Sequence, residues 1–516
     1  MSTEPSMIEP AASELKQRRD KALAMGGAEK LAKRRADGHL NARERLDALL
    51  DPASFLESGM FAAGIRPEVK DKTPADGKVA GFGKVDGRPV GVVSNDFTVL
   101  GASSSAINGK KIRHVKEVAT KRGMPMVFLS ESTGARMPDR MGAPGRAMLG
   151  QDPGEYRRLR ETPWASALLG ASYGSATWYA AMSDFVVMRK GATMAVASSR
   201  VTSMAIRQPV DPEDLGGWKL HTTTTGLADM AVDTDEEALA AVRRFLSYLP
   251  SHQNEAPPRV AAAPDAGDGI RGIEGMLPAT RAQVYDMRKV IECVVDKGSY
   301  FELKARFGKS IATGFARIDG GAVGVLASNP MFKGGAIDVD ACRKATHFLV
   351  LCDSFNLPIV ILVDQPGFLI GLEGERLGAP GKIINWMNAL SLVTVPKISI
   401  ILRKSYGQAY LNMGGGRNSD EVACWTGADL GFMDPAVAIN VLHGVTREKD
   451  PDAFALHLKD LGKDTSAWAL AALYEAQNVL EPHETRDYLK ATLEVHRARG
   501  SASIGRHLLA NWPTSY

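Results

Sequence analysis

The sequence has few of the residues that stabilise small secreted or metal-binding folds. Its 516 residues include four cysteines, which are Cys293, Cys342, Cys352 and Cys424. None of them forms a CxxC pair, and no cluster of cysteine and histidine has the spacing of zinc ligands. We therefore predict no bound metal and expect the four cysteines to be reduced thiols in the core.

Long apolar runs and strong charge are also missing. No run reaches the roughly 18 residues that cross a membrane, and the first residues lack the basic-then-apolar pattern of a signal peptide. The net charge of +4 is small for this length. The basic run over residues 16–45 alternates with alanine and leucine, which is typical of a solvated helix face. We expect a cytoplasmic protein that binds neither membranes nor nucleic acid.

What the sequence does have is an internal repeat. The segment GFGKVDG at residues 81–87 reappears as GFARIDG at residues 314–320, an offset of 233 residues. The same offset relates Gly101 to Gly334, Lys111 to Lys344, His114 to His347, Pro125 to Pro358, Gly134 to Gly367, and residues 173–176 to residues 406–409. A register without gaps over this distance predicts two copies of one fold.

Length and composition place the boundary between the copies. A chain of 516 residues is too long for one ordinary core. Residues 254–268 are rich in proline and alanine and have no hydrophobic period, as in a linker. We predict an N-terminal domain at residues 1–253, a linker at 254–275 and a C-terminal domain at 276–516. In each copy short strands alternate with helices, for example a helix over 110–122 and another over 340–355, which predicts the α/β class.

Two glycine-containing turns follow strands in each copy. They lie at residues 132–136 and 170–176 in the first copy, and at 365–368 and 403–409 in the second. Backbone N–H groups at such turns are unpaired and can hold a developing negative oxygen, especially where a helix begins. Any single turn of this kind is more often only a tight turn. Repetition of both turns in register in both copies favours a function.

Three other motifs are weaker. Residues 170–174 match the G-x-S-x-G of a hydrolase with Ser172 as nucleophile. The second copy replaces the first glycine by Arg403, and His221 lies in a threonine-rich stretch with no triad pattern, so a hydrolase is disfavoured. Residues 308–310 resemble the end of a P-loop, but Leu303 stands where that motif needs glycine. Asp86 likewise occupies the third glycine position of a dinucleotide-binding fingerprint.

Eight motifs in order carry a resemblance to a known family. They are HLNARERLD at 39–47, SNDFT at 94–98, TGAR at 133–136, DVD at 338–340, CDSFN at 352–356, DQPGF at 364–368, TVPK at 394–397 and RKSYG at 403–407. Together they resemble the carboxyltransferase (β) subunits of biotin-dependent acyl-CoA carboxylases, of the propionyl-CoA carboxylase type. The resemblance covers almost the whole chain.

The resemblance implies a fold and an assembly. Each domain would be crotonase-like, a spiral of ββα units, and the chain would form a hexamer within a larger α6β6 complex. The N-terminal domain of one subunit would bind acyl-CoA, and the C-terminal domain of a neighbour would bind biotin. The chain lacks a biotin-attachment motif and an ATP-grasp segment. The implied partner is therefore a biotin carboxylase and biotin carboxyl carrier subunit.

The resemblance also implies roles for residues. Thr133 and Gly134 would donate N–H groups to the thioester oxygen of the acyl-CoA, and Gln408 and Ala409 would donate to the ureido oxygen of biotin. Transfer would pass through enolates, and a duplicated domain supplies the two oxyanion holes that two enolates need. Leu411 would shape the acyl pocket. Further contacts to CoA or biotin would come from Gly101, Ala102, Ser103, Ser104, Arg136, Gly174, Gln365, Pro366, Gly367, Phe368 and Gly407.

The sequence departs from the family at the site itself. Thr133-Gly134 and Gln408-Ala409 stand where the family usually has Gly-Gly and Gly-Ala, and Leu411 replaces a common acid. Residues 137–164 also differ from the usual sequence. The natural acyl-CoA is therefore expected to differ from propionyl-CoA. The alternatives are the carboxyltransferase subunit of a biotin-dependent acyl-CoA decarboxylase and a non-catalytic scaffold paralogue.

Overall fold

A computed structural model describes residues 8–147, 156–278, 280, 283–497 and 504–513. The chain divides into two compact units, one up to Ser247 and one from Tyr248 onward. Each unit is built on an eight-stranded sheet. Within residues 137–164, which differ from the family, residues 148–155 lie outside the described part of the chain.

The sheet of the first unit has the order β1-β2-β3-β4-β5-β6-β8, and β7 pairs with β5. Its strands are β1 (Leu56–Glu57), β2 (Lys78–Val85), β3 (Arg88–Asn95), β4 (Met126–Ser132), β5 (Trp164–Tyr173), β6 (Phe185–Arg189), β7 (Thr193–Ala195) and β8 (Met230–Val232). Its helices are α1 (Ile8–Leu23), α2 (Ala28–Ala36), α3 (Ala42–Leu49), α4 (Pro67–Lys70), α5 (Ala106–Arg122), α6 (Met137–Arg140), α7 (Gly142–Ala147), α8 (Ser175–Met182), α9 (Ser199–Ile206), α10 (Pro212–Gly216), α11 (Trp218–Thr223) and α12 (Asp235–Tyr248).

The sheet of the second unit repeats this topology. Its order is β16-β14-β13-β12-β11-β10-β9, and β15 pairs with β13. Its strands are β9 (Phe301–Leu303), β10 (Ile311–Ile318), β11 (Gly321–Ser328), β12 (Ile359–Gln365), β13 (Lys397–Tyr406), β14 (Glu421–Trp425), β15 (Asp429–Gly431) and β16 (Asn478–Leu480). Its helices are α13 (Met287–Val294), α14 (Val339–Ser354), α15 (Leu372–Arg376), α16 (Ala379–Leu392), α17 (Ala409–Asn412), α18 (Pro435–His443), α19 (Pro451–Leu461), α20 (Ala467–Ala472) and α21 (Thr485–Arg497).

Details of register confirm the duplication. The parallel pair β4–β5 changes register between Ser130 and Ser132, and β12–β13 changes register between Val363 and Gln365, which are the same positions at the offset of 233. The side chain of Lys111 donates to the carbonyl of Lys78, and that of Lys344 donates to the carbonyl of Ile311, again at this offset. The prediction of two α/β domains related by duplication is therefore confirmed.

Capping side chains set where the two long sheet-packed helices begin. Helix α5 starts at Ala106, earlier than the predicted 110, because Ser105 and Asn108 form a reciprocal capping box. It ends where Gly123 adopts a left-handed conformation. Helix α14 starts one residue before the predicted 340, since Asp338 caps the N–H of Ala341.

The predicted linker runs along the second unit, where the N–H of Val260 donates to the carbonyl of Gly320.

The cores contain the cysteines but also unexpected charges. All four cysteines are buried and free, as predicted. Burial raises the pKa of Cys342 and of Cys424 to about 12. The solvated-face interpretation of residues 16–45 is wrong for Arg34 and Arg45. Both arginines pair with Glu131. Arg45 is fully buried, and a second ion pair with Asp235 offsets the cost of burying its charge.

No helix in the described ranges is both long enough and apolar enough to cross a membrane.

Candidate functional site

The two glycine turns of the first unit lie side by side. Strands β4 and β5 are parallel neighbours, with Ser132 paired opposite Ser172, so the turns that follow them leave the same edge of the sheet. Gly134 and Gly174 have left-handed φ angles of +94° and +66°, which strain any residue with a side chain. A Cβ added to Gly174 would lie 3.5 Å from the Cα of Gly134. Glycine therefore allows the two turns to approach closely.

The backbone donors of the first turn have acceptors within the unit. The N–H of Thr133 donates to the carbonyl of Gly101 at 2.9 Å, and the N–H of Gly134 donates to Oγ of Ser132 at 3.1 Å. The second turn opens α8. Among the hydrogen bonds of the described residues, none uses the N–H of Ser175 or Ala176. The first turn of α8 therefore presents free donors next to Gly134.

The loop at residues 101–104 packs against the first turn. Gly101 has a φ of +60°, and a Cβ there would lie 2.5 Å from Cγ2 of Thr133. The N–H of Ser104 donates to the carbonyl of Gly134 at 2.8 Å, and Ser104 and Ser175 share a hydrogen bond of 2.8 Å between their hydroxyls. The loop thus connects the two turns.

Arg136 supports this loop from within the protein. Its side chain is buried and donates to Asp76 at 2.7 Å. It also donates to Oγ of Ser103 at 3.2 Å. Ala102 is also buried, and its carbonyl accepts a hydrogen bond from Oγ of Ser132. Of the predicted CoA-contacting residues, Arg136, Ala102 and Ser103 are therefore enclosed, and Ser104 reaches the cavity described next.

A cavity of about 230 Å³ opens where the turns meet. Ser104, Ala135, Gly174 and Ser175 line it at the turns, and Trp178 from α8 and Arg113 from α5 line it further out. Neither Trp178 nor Arg113 belongs to a motif that predicts a site from the sequence. Trp178 follows the predicted turn at residues 170–176, and Arg113 lies on the predicted helix over residues 110–122. Their positions in the helical repeat next to a predicted turn could have indicated them.

The second unit has the matching pair of turns. Gln365, which is buried, pairs opposite Ser405, and its Nε2 donates to Oγ of Ser405 and to the carbonyl of Tyr406, both at 3.3 Å. Its Oε1 is buried and has no hydrogen-bond partner among the described residues. Gly407 has a φ of +62°, and its N–H donates to Gly431. The buried glutamine therefore joins the ends of the two strands below the turns.

Gln408 and Ala409 provide the free donors of this unit. Gln408 precedes α17 and is exposed, whereas Ala409 is its first residue and is buried. The hydrogen bonds of the described residues include none from either N–H. Leu411 lies in the same short helix and is half-buried. The structure therefore brings these three predicted residues together at one helix start.

The remaining predicted residues of the second unit form the first turn. The N–H of Ile337 donates to the carbonyl of Gly367 at 3.0 Å, and the N–H of Leu369 donates to the carbonyl of Ile337 at 2.8 Å. Phe368 therefore pairs with Ile337 as Ala135 pairs with Ser104 in the first unit. Pro366 is exposed.

Ser172 and His221 do not form a catalytic pair. Ser172 is fully buried, and its hydroxyl donates to the carbonyl of Ser130 at 3.3 Å. The ring of His221 hydrogen-bonds to the carbonyl of Met194 at 2.7 Å and to Oγ1 of Thr225 at 3.0 Å. Burial lowers the pKa of His221. Neither side chain is free for nucleophilic catalysis.

Fold and site together define a duplicated, crotonase-like α/β protein with one pair of glycine turns in each copy. The chain belongs to the carboxyl transferase domain family, which it matches over residues 33–506. It is therefore a carboxyltransferase, and the family predicted from its motifs is confirmed.

Its relatives include subunits of a carboxylase and of a decarboxylase. The chain is 35% identical to the carboxyltransferase subunit of propionyl-CoA carboxylase from Haloferax mediterranei, over 95% of this chain and 97% of that protein. It is 34% identical to methylmalonyl-CoA decarboxylase subunit alpha from Veillonella parvula, over 90% of this chain and 92% of that protein.

A solved structure shows the same fold. A crystal structure of transcarboxylase 12S, a hexamer with methylmalonyl-CoA bound, matches with a TM-score of 0.89 at 33% identity. The match covers 96% of this chain and 97% of that chain. This likeness confirms the crotonase-like prediction for both units.

Proposed function

We propose that this carboxyltransferase moves a carboxyl group from carboxybiotin, carried on a partner subunit, to the α-carbon of an acyl-CoA. The observation that carries the proposal is the pair of related turns, each with backbone N–H donors beside the start of a helix. Donors of this kind stabilise an oxygen on which negative charge develops. A thioester that loses its α-proton develops charge on its carbonyl oxygen, and this is the charge that the first unit would hold.

The first unit would bind the acyl-CoA. Gly134 would be its main donor from the first turn, because the acceptor that its N–H now has is a rotatable serine hydroxyl. The N–H of Thr133 is bonded to a backbone carbonyl, which is harder to displace. The loop of Gly101 to Ser104 would lie near the CoA nucleotide.

The second unit would bind biotin. Gln408 and Ala409 would donate to the ureido oxygen, and Gln365 to Phe368 together with Gly407 would line that pocket. Bound there, biotin supplies the carboxyl group. The buried Oε1 of Gln365, unpaired among the described residues, is an acceptor that suits the N–H groups of a ureido ring.

The partner would be a biotin carboxylase and biotin carboxyl carrier subunit, and the chain would assemble as a hexamer in the cytoplasm. The test is fixation of labelled bicarbonate into a panel of acyl-CoA esters by the chain together with this partner and ATP. We expect an acid-stable labelled product for at least one ester. If the folded complex labels no ester, the proposal is wrong, and the decarboxylase direction and a non-catalytic scaffold are the two alternatives that remain.

The second candidate is the decarboxylase direction, which the 34% identity to methylmalonyl-CoA decarboxylase subunit alpha favours. Its test is transfer of a labelled carboxyl group from a carboxylated acyl-CoA to the free biotin carrier, which leaves the acyl-CoA and carboxybiotin as products. Faster transfer in this direction than ATP-driven fixation by the same preparation would favour this candidate.

A further inference from the structure

A buried lysine lies behind the first turn pair, where the second copy of the fold has an isoleucine. Lys78 is the first residue of β2, and its counterpart at the offset of 233 is Ile311. Its side chain is 2% exposed. The repeat keeps the neighbouring buried lysine in both copies, as Lys111 and Lys344. Since burying an amine costs solvation, a lysine present in one copy alone points to a role specific to the first unit.

The side chain of Lys78 points toward the helices that carry the site. Alternate residues of a strand face the same side, so Lys78 shares a face with Ala80. Ala80 packs in the cluster that contains Ile112 of α5 and Tyr179 of α8. The amine of Lys78 is therefore a polar group on the side of the strand that packs against this apolar cluster.

The amine of Lys78 has unused hydrogen-bonding capacity. Its Nζ donates to the carbonyl of Ala102 at 2.8 Å, and this is its only hydrogen bond to the described residues. A lysine ammonium has three donors. Two N–H groups are therefore left for another acceptor. Burial lowers the pKa of Lys78 to about 7, so the amine exchanges between its charged and neutral forms near neutral pH.

A small enclosed cavity lies beside this lysine. Its volume is about 10 Å³, close to the space of one water-sized group. It is lined by Lys78, Val93, Asn95, Ile112, Phe128, Ser130, Ser175, Ala176 and Tyr179. Three of these residues, Ile112, Ser175 and Tyr179, also line the 230 Å³ cavity at the turns. The small cavity is therefore the inner neighbour of the candidate substrate cavity.

The same lysine is connected to the candidate oxyanion donor. The carbonyl of Ala102 accepts from Lys78 and also from Oγ of Ser132 at 3.1 Å. That hydroxyl oxygen in turn accepts from the N–H of Gly134 at 3.1 Å. Two shared acceptors, the Ala102 carbonyl and Oγ of Ser132, therefore connect the amine of Lys78 to the N–H of Gly134.

We propose that Lys78 selects acyl-CoA substrates whose acyl chain carries a polar oxygen, such as a hydroxyl, over those with a plain alkyl chain. The inference rests on the proposed function and names the substrate class of that same site. A hydroxyl beside Lys78 would accept a hydrogen bond from these N–H groups, which a plain alkyl group cannot do, and this favours the hydroxyacyl ester by about tenfold or more. A hydroxyl can hydrogen-bond to the charged and to the neutral amine.

The test compares butyryl-CoA with 3-hydroxybutyryl-CoA, which have equal carbon chains. Affinities are measured by calorimetry on the purified full-length chain, and kcat and KM on its complex with the biotin subunits. We expect the wild type to favour the hydroxyacyl ester by about tenfold or more. Lys78→Met keeps the length of the side chain and removes its donors, so it should abolish this preference. The loss should be seen as a higher KM for the hydroxyacyl ester.

Lys344→Met is the matched control, because it removes a buried lysine of the second unit. It should keep the wild-type preference. The inference is overturned if the wild type does not favour the hydroxyacyl ester, or if Lys78→Met keeps that preference. Should Lys78→Met fail to fold by circular dichroism, the wild-type comparison still decides, because a wild type without the preference overturns the inference by itself.

The two failures can be told apart. A complex that carboxylates acyl-CoA esters without regard to the hydroxyl contradicts the role of Lys78 and leaves the proposed function intact. A complex that carboxylates no CoA ester contradicts the proposed function itself.

Discussion

Ser172 lies in a G-x-S-x-G sequence, yet its surroundings are those of a strand residue. Its hydroxyl is buried and bonded to the carbonyl of Ser130, and the ring of His221 is bonded to Met194. A nucleophilic serine needs a base within hydrogen-bonding reach. We therefore expect Ser172→Ala to change kcat of carboxylation by less than about tenfold, measured on the complex at saturating acyl-CoA. A loss near 10⁴-fold would restore the hydrolase interpretation.

The buried lysine of the second unit makes a prediction about pH. Lys344 donates to the carbonyls of Phe307 and Ile311, and burial lowers its pKa from 10.5 to about 7. Between these values the unfolded chain binds the proton and the folded chain does not. The free energy of unfolding therefore rises as pH increases through this window, by about 1 kcal/mol per pH unit for the group.

Lys344→Met should flatten this dependence. Thermal unfolding at pH 7 and pH 9 is the measurement, and the wild type should gain more in melting temperature between them than the variant. The variant also loses two hydrogen bonds, so its absolute stability is lower at both pH values. An equal gain in the two proteins would mean that Lys344 stays charged in the folded chain.

Residue-scale burial of charge was the least predictable feature. The basic run over residues 16–45 has the spacing of a solvated face, and Arg45 fits that pattern as well as its neighbours do. Its actual partners, Glu131 and Asp235, lie far along the chain. Burial of an arginine depends on such distant partners, and a local pattern does not contain them. For the same reason the cavity beside Lys78 was not predicted.

At the scale of elements, the four turns were predictable because each follows an apolar strand and recurs in the second copy. The partners of their N–H groups were not. The N–H of Thr133 donates to Gly101, which comes from a different loop, while those of Gln408 and Ala409 have no acceptor among the described residues. Which donors are free depends on how loops pack over the turns, so the sequence predicted the positions of the turns but not their hydrogen bonds.

The N–H of Ala409 at the start of α17 can be removed by proline, because that N–H has no partner in the helix. Gln408, which precedes it, has a helical backbone (φ −59°, ψ −27°) that a following proline disfavours, so folding is checked before activity. If that N–H holds the ureido oxygen, Ala409→Pro should lower kcat by about 10²–10³-fold. The measurement is steady-state carboxylation by the reconstituted complex, after circular dichroism and gel filtration show normal folding and assembly.

Gln408→Gly is the matched variant, since it keeps the N–H and removes only the exposed side chain. Its activity should survive and extend to other acyl chains. An active Ala409→Pro together with an inactive Gln408→Gly would show that the glutamine side chain performs the chemistry, contrary to backbone donation.

At the scale of the whole molecule, duplication was the feature most fully predictable from sequence. A constant offset of 233 residues reappears in the sheet order, the register shifts and the lysine contacts. Two copies of one fold with different residues at the turns suit a reaction with two bound partners. Substrate identity does not follow from the duplication, because the offset fixes the fold and the turns but not the side chains, which differ between the copies at most positions, Lys78 and Ile311 among them.

The proposed binding of acyl-CoA by the first unit and of biotin by the second can be tested by complementation. If the first unit of one chain and the second unit of a neighbouring chain build each site, two inactive variants can complement each other. Gly134→Val places a side chain on a backbone with φ of +94° and disables the first unit. Ala409→Pro disables the second. Co-expression of the two should give hexamers in which about a quarter of the sites combine two intact units by random assortment.

We therefore expect co-expressed Gly134→Val and Ala409→Pro chains to recover up to about a quarter of wild-type activity, although each is nearly inactive when expressed alone. Two independently purified variants, mixed without subunit exchange, serve as the control and should stay inactive. A second control places both substitutions in one chain and co-expresses it with the wild type. Sites shared between neighbouring chains should then again be intact in about a quarter of cases, whereas sites built within one chain would be intact in about half. If the co-expressed single variants form normal hexamers and recover no activity, each site is built within one chain, and the expectation from the family resemblance that neighbouring subunits share it is wrong.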